Sequence, residues 1–152
     1  MKRNFGKILI LFVAIATLSL TSCSKDPAEL IVGKWDVTKV SADVTLMGNS
    51  FNLDLTKLIE SLTFNEDGTC VTVGHEAQVE DFGAVIFDED PYIANGTWVM
   101  NGDDQIIITN DGYPETYTIQ KLKKDECTLS ISEHEAEPDF TLDATMTIEM
   151  VK

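Results

Sequence analysis

Arginine is nearly absent from this 152-residue chain, in which Arg3 is the only one. The chain carries 26 acidic residues against 11 lysines and arginines, which gives a formal net charge of −15. A polyanion repels phosphate backbones, and arginine is the usual reader of phosphates and base edges, so nucleic acid is excluded as a partner. The acidic balance by itself predicts a well-solvated exterior and not an acidic active site.

Motifs of catalysis and of metal binding are also missing. The sequence contains no Gly-x-Ser-x-Gly elbow, phosphate-binding loop or dinucleotide fingerprint. The two histidines, His75 and His134, form no zinc-ligand spacing, and acidic turns such as Asp88–Asp90 do not match a calcium loop. The apolar faces of the predicted strands hold no titratable group. We therefore predict a protein that is not an enzyme and that takes no metal or other cofactor.

Cysteines are too few for a disulfide framework, since there are only Cys23, Cys70 and Cys127. Cys70 and Cys127 each stand in an apolar, β-branched neighbourhood. Such surroundings suit a buried reduced thiol as well as a bridge, and both alternatives stay open.

Long apolar runs are confined to the N-terminus. Three cations, at positions 2, 3 and 7, precede an apolar run from Ile8 to Leu20. This run is shorter than the roughly 20 residues that a transmembrane helix needs. A basic start followed by a short apolar run is typical of a signal peptide, which we place over residues 1–22.

The next residues, Leu20-Thr21-Ser22-Cys23, resemble the lipobox of bacterial lipoproteins. The resemblance implies cleavage before Cys23 and acylation of its thiol and of the new amine. Ser24, at the following position, is similar to the signal that sorts lipoproteins to the outer membrane. We therefore expect a lipidated tether over residues 23–30, a membrane partner bound through this lipid anchor, and a location at the outer membrane, facing the periplasm or the cell surface.

From Ile31 onward the dominant hydrophobic period is two, as expected of half-buried strands. A first strand runs from Val32 to about Leu46, and turn signals such as Asp67-Gly68 separate the later strands. The last strand alternates most cleanly, with its apolar side chains at positions 140, 142, 144, 146, 148 and 150. One segment is ambiguous: Phe51–Leu62 fits a helical stripe, although Phe51, Leu53 and Leu55 also alternate. We predict a short helix over about residues 54–61.

About eight short strands with local turns predict an antiparallel meander. Each strand has one apolar face to bury, and closing the sheet buries these faces while removing the exposed edges. We therefore predict an all-β domain over residues 31–152, an eight-stranded antiparallel up-and-down barrel with one short helix.

Several motifs then resemble a known family. Gly33-Lys34-Trp35 resembles the Gly-x-Trp start of lipocalins, and Gly96-Thr97-Trp98 follows at the spacing of small bacterial lipocalin-like lipoproteins. The resemblance implies that Trp35, after Gly33, closes the base of the barrel beneath a cation. Because no arginine follows residue 3, Lys152 or Lys121 is left to supply that cation.

Two functions fit such a barrel. It binds a small hydrophobic ligand in its mouth, or it is packed solid and acts as a structural or protein-interaction module at the cell surface; in both cases we expect a monomer. For the first function, segment 47–62 covers the mouth, and the ligand-lining residues are Trp98, Met100, Leu142, Met146 and Ile148. A cavity of about 300 Å³ or more would favour the binder.

Overall fold

The computed structural model describes residues 26–79, 85–137 and 140–152. The predicted signal peptide and Cys23 lie outside these residues. Within them the chain forms one helix and eleven strands, in the order α1 (Pro27–Ile31), β1 (Gly33–Leu46), β2 (Asn49–Asp54), β3 (Ile59–Phe64), β4 (Thr69–Gly74), β5 (Ala77–Val79), β6 (Val85–Phe87), β7 (Tyr92–Met100), β8 (Gln105–Asn110), β9 (Tyr113–Leu122), β10 (Glu126–Glu137) and β11 (Phe140–Val151). No helix among the described residues is long and apolar enough to cross a membrane.

Eight of these strands close into an antiparallel barrel, which confirms the predicted fold. The order around the barrel is β1-β3-β4-β7-β8-β9-β10-β11, and β11 pairs back onto β1. The closing pair is long, running from Asp36 opposite Val151 to Leu46 opposite Leu142. Strands β5 and β6 form a separate hairpin.

One side of the barrel extends beyond the rest as a four-stranded sheet, which we call the projecting sheet. It consists of residues 41–46 of β1, all of β2, residues 140–147 of β11 and residues 131–137 of β10. Strand β1 reaches into it because its first residues pair with β3, while its last six pair with β2.

The helix predicted over residues 54–61 is wrong. Residues 49–54 form strand β2, and Leu58 donates to the Leu55 carbonyl in a turn that leads directly into β3. The alternation of apolar residues prevailed over the helical stripe because β1 offers β2 an edge with which to pair. The short helix is instead α1, in the segment expected to be tether. Asp26 caps α1 by accepting from the Ala28 amide, and Pro27 begins it.

Trp35 and Lys152 close one end of the barrel. Trp35 is fully buried, and its indole Nε1 donates to the Ile31 carbonyl at 2.6 Å. Of the two candidate lysines, Lys152 supplies the cation: its Nζ lies 4.6 Å from the centre of the Trp35 ring. The same ammonium donates to the carbonyls of Leu30 and Val32 at 2.8 Å each. The lysine therefore joins the end of α1 to the closing indole.

The core continues from Trp35 along the inner faces of the strands. Its fully buried large side chains include Phe64, Ile106, Leu129 and Met150. Cys70 and Cys127 are both buried free thiols, which decides against a bridge between them. Burial raises the pKa of Cys127 to about 12, so this thiol stays protonated and packs as a small apolar group.

The closed end predicts an energetic coupling between Trp35 and Lys152. We expect Trp35→Ala to cost about 3–5 kcal/mol of unfolding free energy because it empties a fully buried site. Lys152→Met keeps the apolar stem and removes the charge. In a double-mutant cycle by urea denaturation, the two substitutions should couple by about 0.5–2 kcal/mol.

Lys121→Met is the matched control, because Lys121 is a half-exposed lysine that pairs with Glu126 on the surface. It should be additive with Trp35→Ala to within about 0.5 kcal/mol. Additivity of the Lys152 pair to the same extent would contradict a cation–π role for this lysine.

Candidate functional site

The end of the barrel opposite Trp35 is open and contains a cavity of about 190 Å³. Its position follows from the strand directions, since Gly33 pairs with Phe64 at the closed end and Ile59 pairs with Gly74 at the other. The apolar part of the wall consists of Leu58, Ile59, Leu62, Ile108, Met146 and Ile148. The polar part consists of Thr72, Tyr92, Asn110, Glu115 and Tyr117.

The polar lining residues occupy inward positions on four successive barrel strands, β4, β7, β8 and β9. Thr72 lies on β4, opposite the core residue Leu62 of β3. Glu115 and Tyr117 lie on β9, opposite the buried residues Ile108 and Ile106 of β8. Cross-strand partners share a face of the sheet, so these polar side chains are directed into the barrel by the same register that buries their apolar partners.

A carboxylate and a phenol meet in this wall. The hydroxyl of Tyr117 donates to Oε2 of Glu115 at 2.7 Å. Burial, followed by this hydrogen bond, raises the pKa of Tyr117 far above its ordinary value, so the phenol stays protonated. Burial and the charge of Glu115 also raise the pKa of Tyr92, at the rim of the cavity.

Asn110 depends on a glycine in the neighbouring strand. It is the last residue of β8 and pairs with Gly96 of β7. A β-carbon at position 96 would collide with Oδ1 of Asn110 and with the Thr109 carbonyl. Gly96 therefore leaves the space in which the Asn110 amide lies against the sheet.

Two wider clefts share walls with the cavity. One, of about 630 Å³, lies beside the end of β4 and the start of β7 and shares Leu58 and Tyr92 with it. The other, of about 530 Å³, shares Glu115 and Met146. This second cleft exists because β9 and β10 pair only through residues 118–122 and 127–130 and then separate.

The inner apolar surface continues onto one face of the projecting sheet. Met146 of the cavity wall is paired with Ala42, which in turn is paired with Leu53. The next rows on this face carry the apolar side chains of Val44, Leu46, Phe51, Ala144 and Leu142. Phe51 is 53% exposed, so this face is open to solvent.

The opposite face of the projecting sheet is polar. Cross-strand hydrogen bonds there join Thr45 to Ser50, Asn52 to Asp43, Ser132 to Thr145 and His134 to Asp143. We call the face that is continuous with the cavity wall the apolar face. Its side chains on β1, β2 and β11 are apolar except for Asn49, whereas Glu133 and Glu135 of β10 share this face, opposite Ala144 and Leu142.

His75, which follows β4, links Glu60 of β3 to Asp88, the residue after β6. Its Nε2 lies 2.9 Å from the Glu60 carboxylate and its Nδ1 lies 2.7 Å from the Asp88 carbonyl. Both partners only accept, so the ring donates to both only when it is protonated. The bond to Glu60 and then the bond to Asp88 raise the pKa of His75. Among the described residues, no cluster of His, Cys, Asp and Glu is placed to hold a metal.

The structure separates the five residues predicted to line a ligand. Met146 and Ile148 line the cavity, and Leu142 lies beside it on the apolar face of the projecting sheet, paired with Leu46. Trp98 and Met100 do not join them, which corrects that part of the prediction. They point inward nearer the closed end and pack against the core. The Trp98 ring meets Phe64 edge-on at 5.6 Å and donates to the Asn65 carbonyl.

Sequence reasoning missed the polar part of the wall. The expectation that inner faces hold no titratable group is wrong at β9, which begins at Tyr113 and brings Glu115 onto the lining face. The alternation of Glu115, Tyr117 and Ile119 is the signal that would have placed this carboxylate on the same face as the buried Tyr117.

The family comparison agrees with this architecture. A family model for the lipocalin-like domain matches residues 31–129. Among solved structures, a redesigned β-barrel is similar at 14% identity, covering 81% of this chain and 95% of its own, with a TM-score of 0.34. No curated protein matches the chain.

Proposed function

Because this chain belongs to the lipocalin-like domain family, whose barrels bind ligands in general, we propose that it binds a small apolar ligand at the open end of the barrel. We further propose that it does so at the outer membrane, anchored by lipid on Cys23. The observation that supports the binding proposal is the cavity beyond the solid core, with its apolar wall extended by the projecting sheet.

The dimensions indicate how such a ligand would lie. A dry apolar cavity of about 150 Å³ admits benzene, so a cavity of about 190 Å³ holds one ring or the end of a chain. The rest of a larger ligand would cover the exposed apolar face around Phe51 and Leu142. Each Å² of apolar surface removed from water then contributes about 25 cal/mol.

A second function is supported by the same face. The cavity is smaller than the roughly 300 Å³ of a usual ligand pocket. Leu46, Phe51 and Phe140 of the projecting sheet are each more than a third exposed. Exposed apolar patches often mark protein interfaces, so an interaction module at the cell surface is the alternative to a binder.

Filling the cavity should distinguish ligand binding at the open end from a role as an interaction module. Met146 is half-buried in its wall, and we expect Met146→Trp to occupy the space without unfolding the domain. The measurement is fluorescence titration with the hydrophobic probe N-phenylnaphthylamine. The wild-type protein should bind the probe and the variant should not, while both keep the circular dichroism spectrum of a β-barrel.

Val99→Trp is the matched control, since Val99 is 57% exposed and its strand position faces away from the core. It should bind the probe as the wild type does. No binding by the wild type, or equal binding by Met146→Trp, would contradict the proposed site and favour the interaction module.

The fold also bears on how an anchored domain would be oriented. Helix α1 lies at the closed end, where the carbonyls of Leu30 and Val32 hold Lys152. A lipidated Cys23 would be three residues before Asp26, a span of at most roughly 10 Å at 3.3–3.6 Å per residue. The closed end would therefore lie next to the membrane, with the cavity directed away from it.

The anchor is tested directly by Cys23→Ala. The basic start, the apolar run and the lipobox-like residues motivate the expectation that this variant accumulates as uncleaved precursor. It should also lose metabolic labelling by a fatty-acid analogue and leave the membrane fraction. Cys70→Ala, which alters a buried core thiol, should still be cleaved and labelled. A Cys23→Ala protein that is processed and labelled normally would rule out the anchor.

A further inference from the structure

Two buried oxygen atoms in the wall of the cavity lack a hydrogen-bond partner among the described residues. They are Oγ1 of Thr72 and Oδ1 of Asn110. Thr72 is only 4% exposed, and both residues line the same cavity of about 190 Å³. Buried polar atoms in native proteins are nearly always hydrogen-bonded, so two such atoms in one cavity indicate a partner that comes from outside the chain.

The remaining polar wall offers acceptors and negative charge. Glu115 contributes a carboxylate that already accepts from Tyr117. Among the described residues that line the cavity there is no lysine, arginine or histidine. An acidic head group would therefore meet a carboxylate with no cation to offset the repulsion, and it would bring no hydrogen to Oδ1 of Asn110.

We propose that the ligand of this cavity carries a hydroxyl group, which donates to Oδ1 of Asn110 and accepts from the hydroxyl of Thr72. This inference deepens the proposed function and rests on it, since it names the chemical class of the bound molecule as an apolar alcohol. The charge of Glu115 disfavours fatty carboxylates.

The preference for an alcohol follows from the hydrogen bonds that each ligand can form with Oγ1 of Thr72 and Oδ1 of Asn110. A pure hydrocarbon that enters the cavity displaces water and leaves both oxygens unpaired, which lowers its affinity. An alcohol displaces the same water and replaces its hydrogen bonds. Gly96 allows this arrangement, because a side chain at that position would push Asn110 away from the sheet.

Competition with bound N-phenylnaphthylamine tests the proposal with three ligands that share one tail: decanol, decyl methyl ether and decanoate. The ether retains an acceptor oxygen but has no hydrogen to donate. Decanol should displace the probe at a concentration about tenfold lower than the ether or the carboxylate.

Two isosteric variants assign these contacts to residues. Thr72→Val removes the unpaired hydroxyl and should weaken decanol and the ether alike, by about fivefold, because the oxygen of either ligand can accept from Thr72. Glu115→Gln keeps an acceptor for Tyr117 and removes the charge, so it should strengthen decanoate about tenfold and leave decanol unchanged. The surface controls Thr97→Val and Glu66→Gln should alter none of the three affinities, because neither residue lines the cavity.

The outcomes distinguish this inference from the proposed function. If the probe does not bind the wild-type protein, the proposed function fails and this inference fails with it. If the probe binds but the three ligands compete equally, or decanoate competes best, the ligand class is wrong and the binding function stands. Unchanged decanol affinity in Thr72→Val would overturn the assignment to Thr72. Glu115→Gln tests the charge independently, even if Thr72→Val does not fold.

Discussion

The pairing of β1 with β11 determines both the closure of the barrel and which side chains face its interior. This ladder closes the barrel, and its register directs Met146, Ile148 and Met150 inward, opposite Ala42 and Val40 and near Val37. A slip by one residue would turn all of them outward. A bulge between Val37 and Lys39 makes Val37 and Val40 both face the core, and the additional residue, Thr38, is held by a hydrogen bond to the Glu149 carbonyl.

The two ends of the barrel differ in structure. At one end the fully buried Trp35 indole donates to the Ile31 carbonyl, and the Lys152 ammonium lies over the indole and donates to the carbonyls of Leu30 and Val32. At the other end the inner face reaches a cavity and then continues as the apolar face of the projecting sheet. Apolar surface and unpaired oxygens are thus concentrated at the open end, where a bound molecule would remove both from water.

Hydrophobic alternation was sufficient to predict the strands and the closed barrel, since each half-apolar strand needs one buried face. It was insufficient where a helical period and a strand period fit the same residues. Residues 54–61 were expected to form a helix, but residues 49–54 form a strand because β1 provides an edge with which they pair. The alternation of apolar residues also does not show how far from the closed end an inward-facing side chain lies. Trp98 and Met146 both face inward, yet only the strand pairing shows that one packs near the base and the other lines the cavity.

The proposed site predicts that ligands enter the open end and reach no deeper. Isotope-labelled methionine methyl groups test it directly, because Met146 lines the cavity while Met100 and Met150 pack in the core below it. During NMR titration with N-phenylnaphthylamine, we expect the Met146 methyl resonance to shift saturably and those of Met100 and Met150 to stay in place. Saturable shifts of Met100 or Met150 without Met146, or no shift at all, would contradict it.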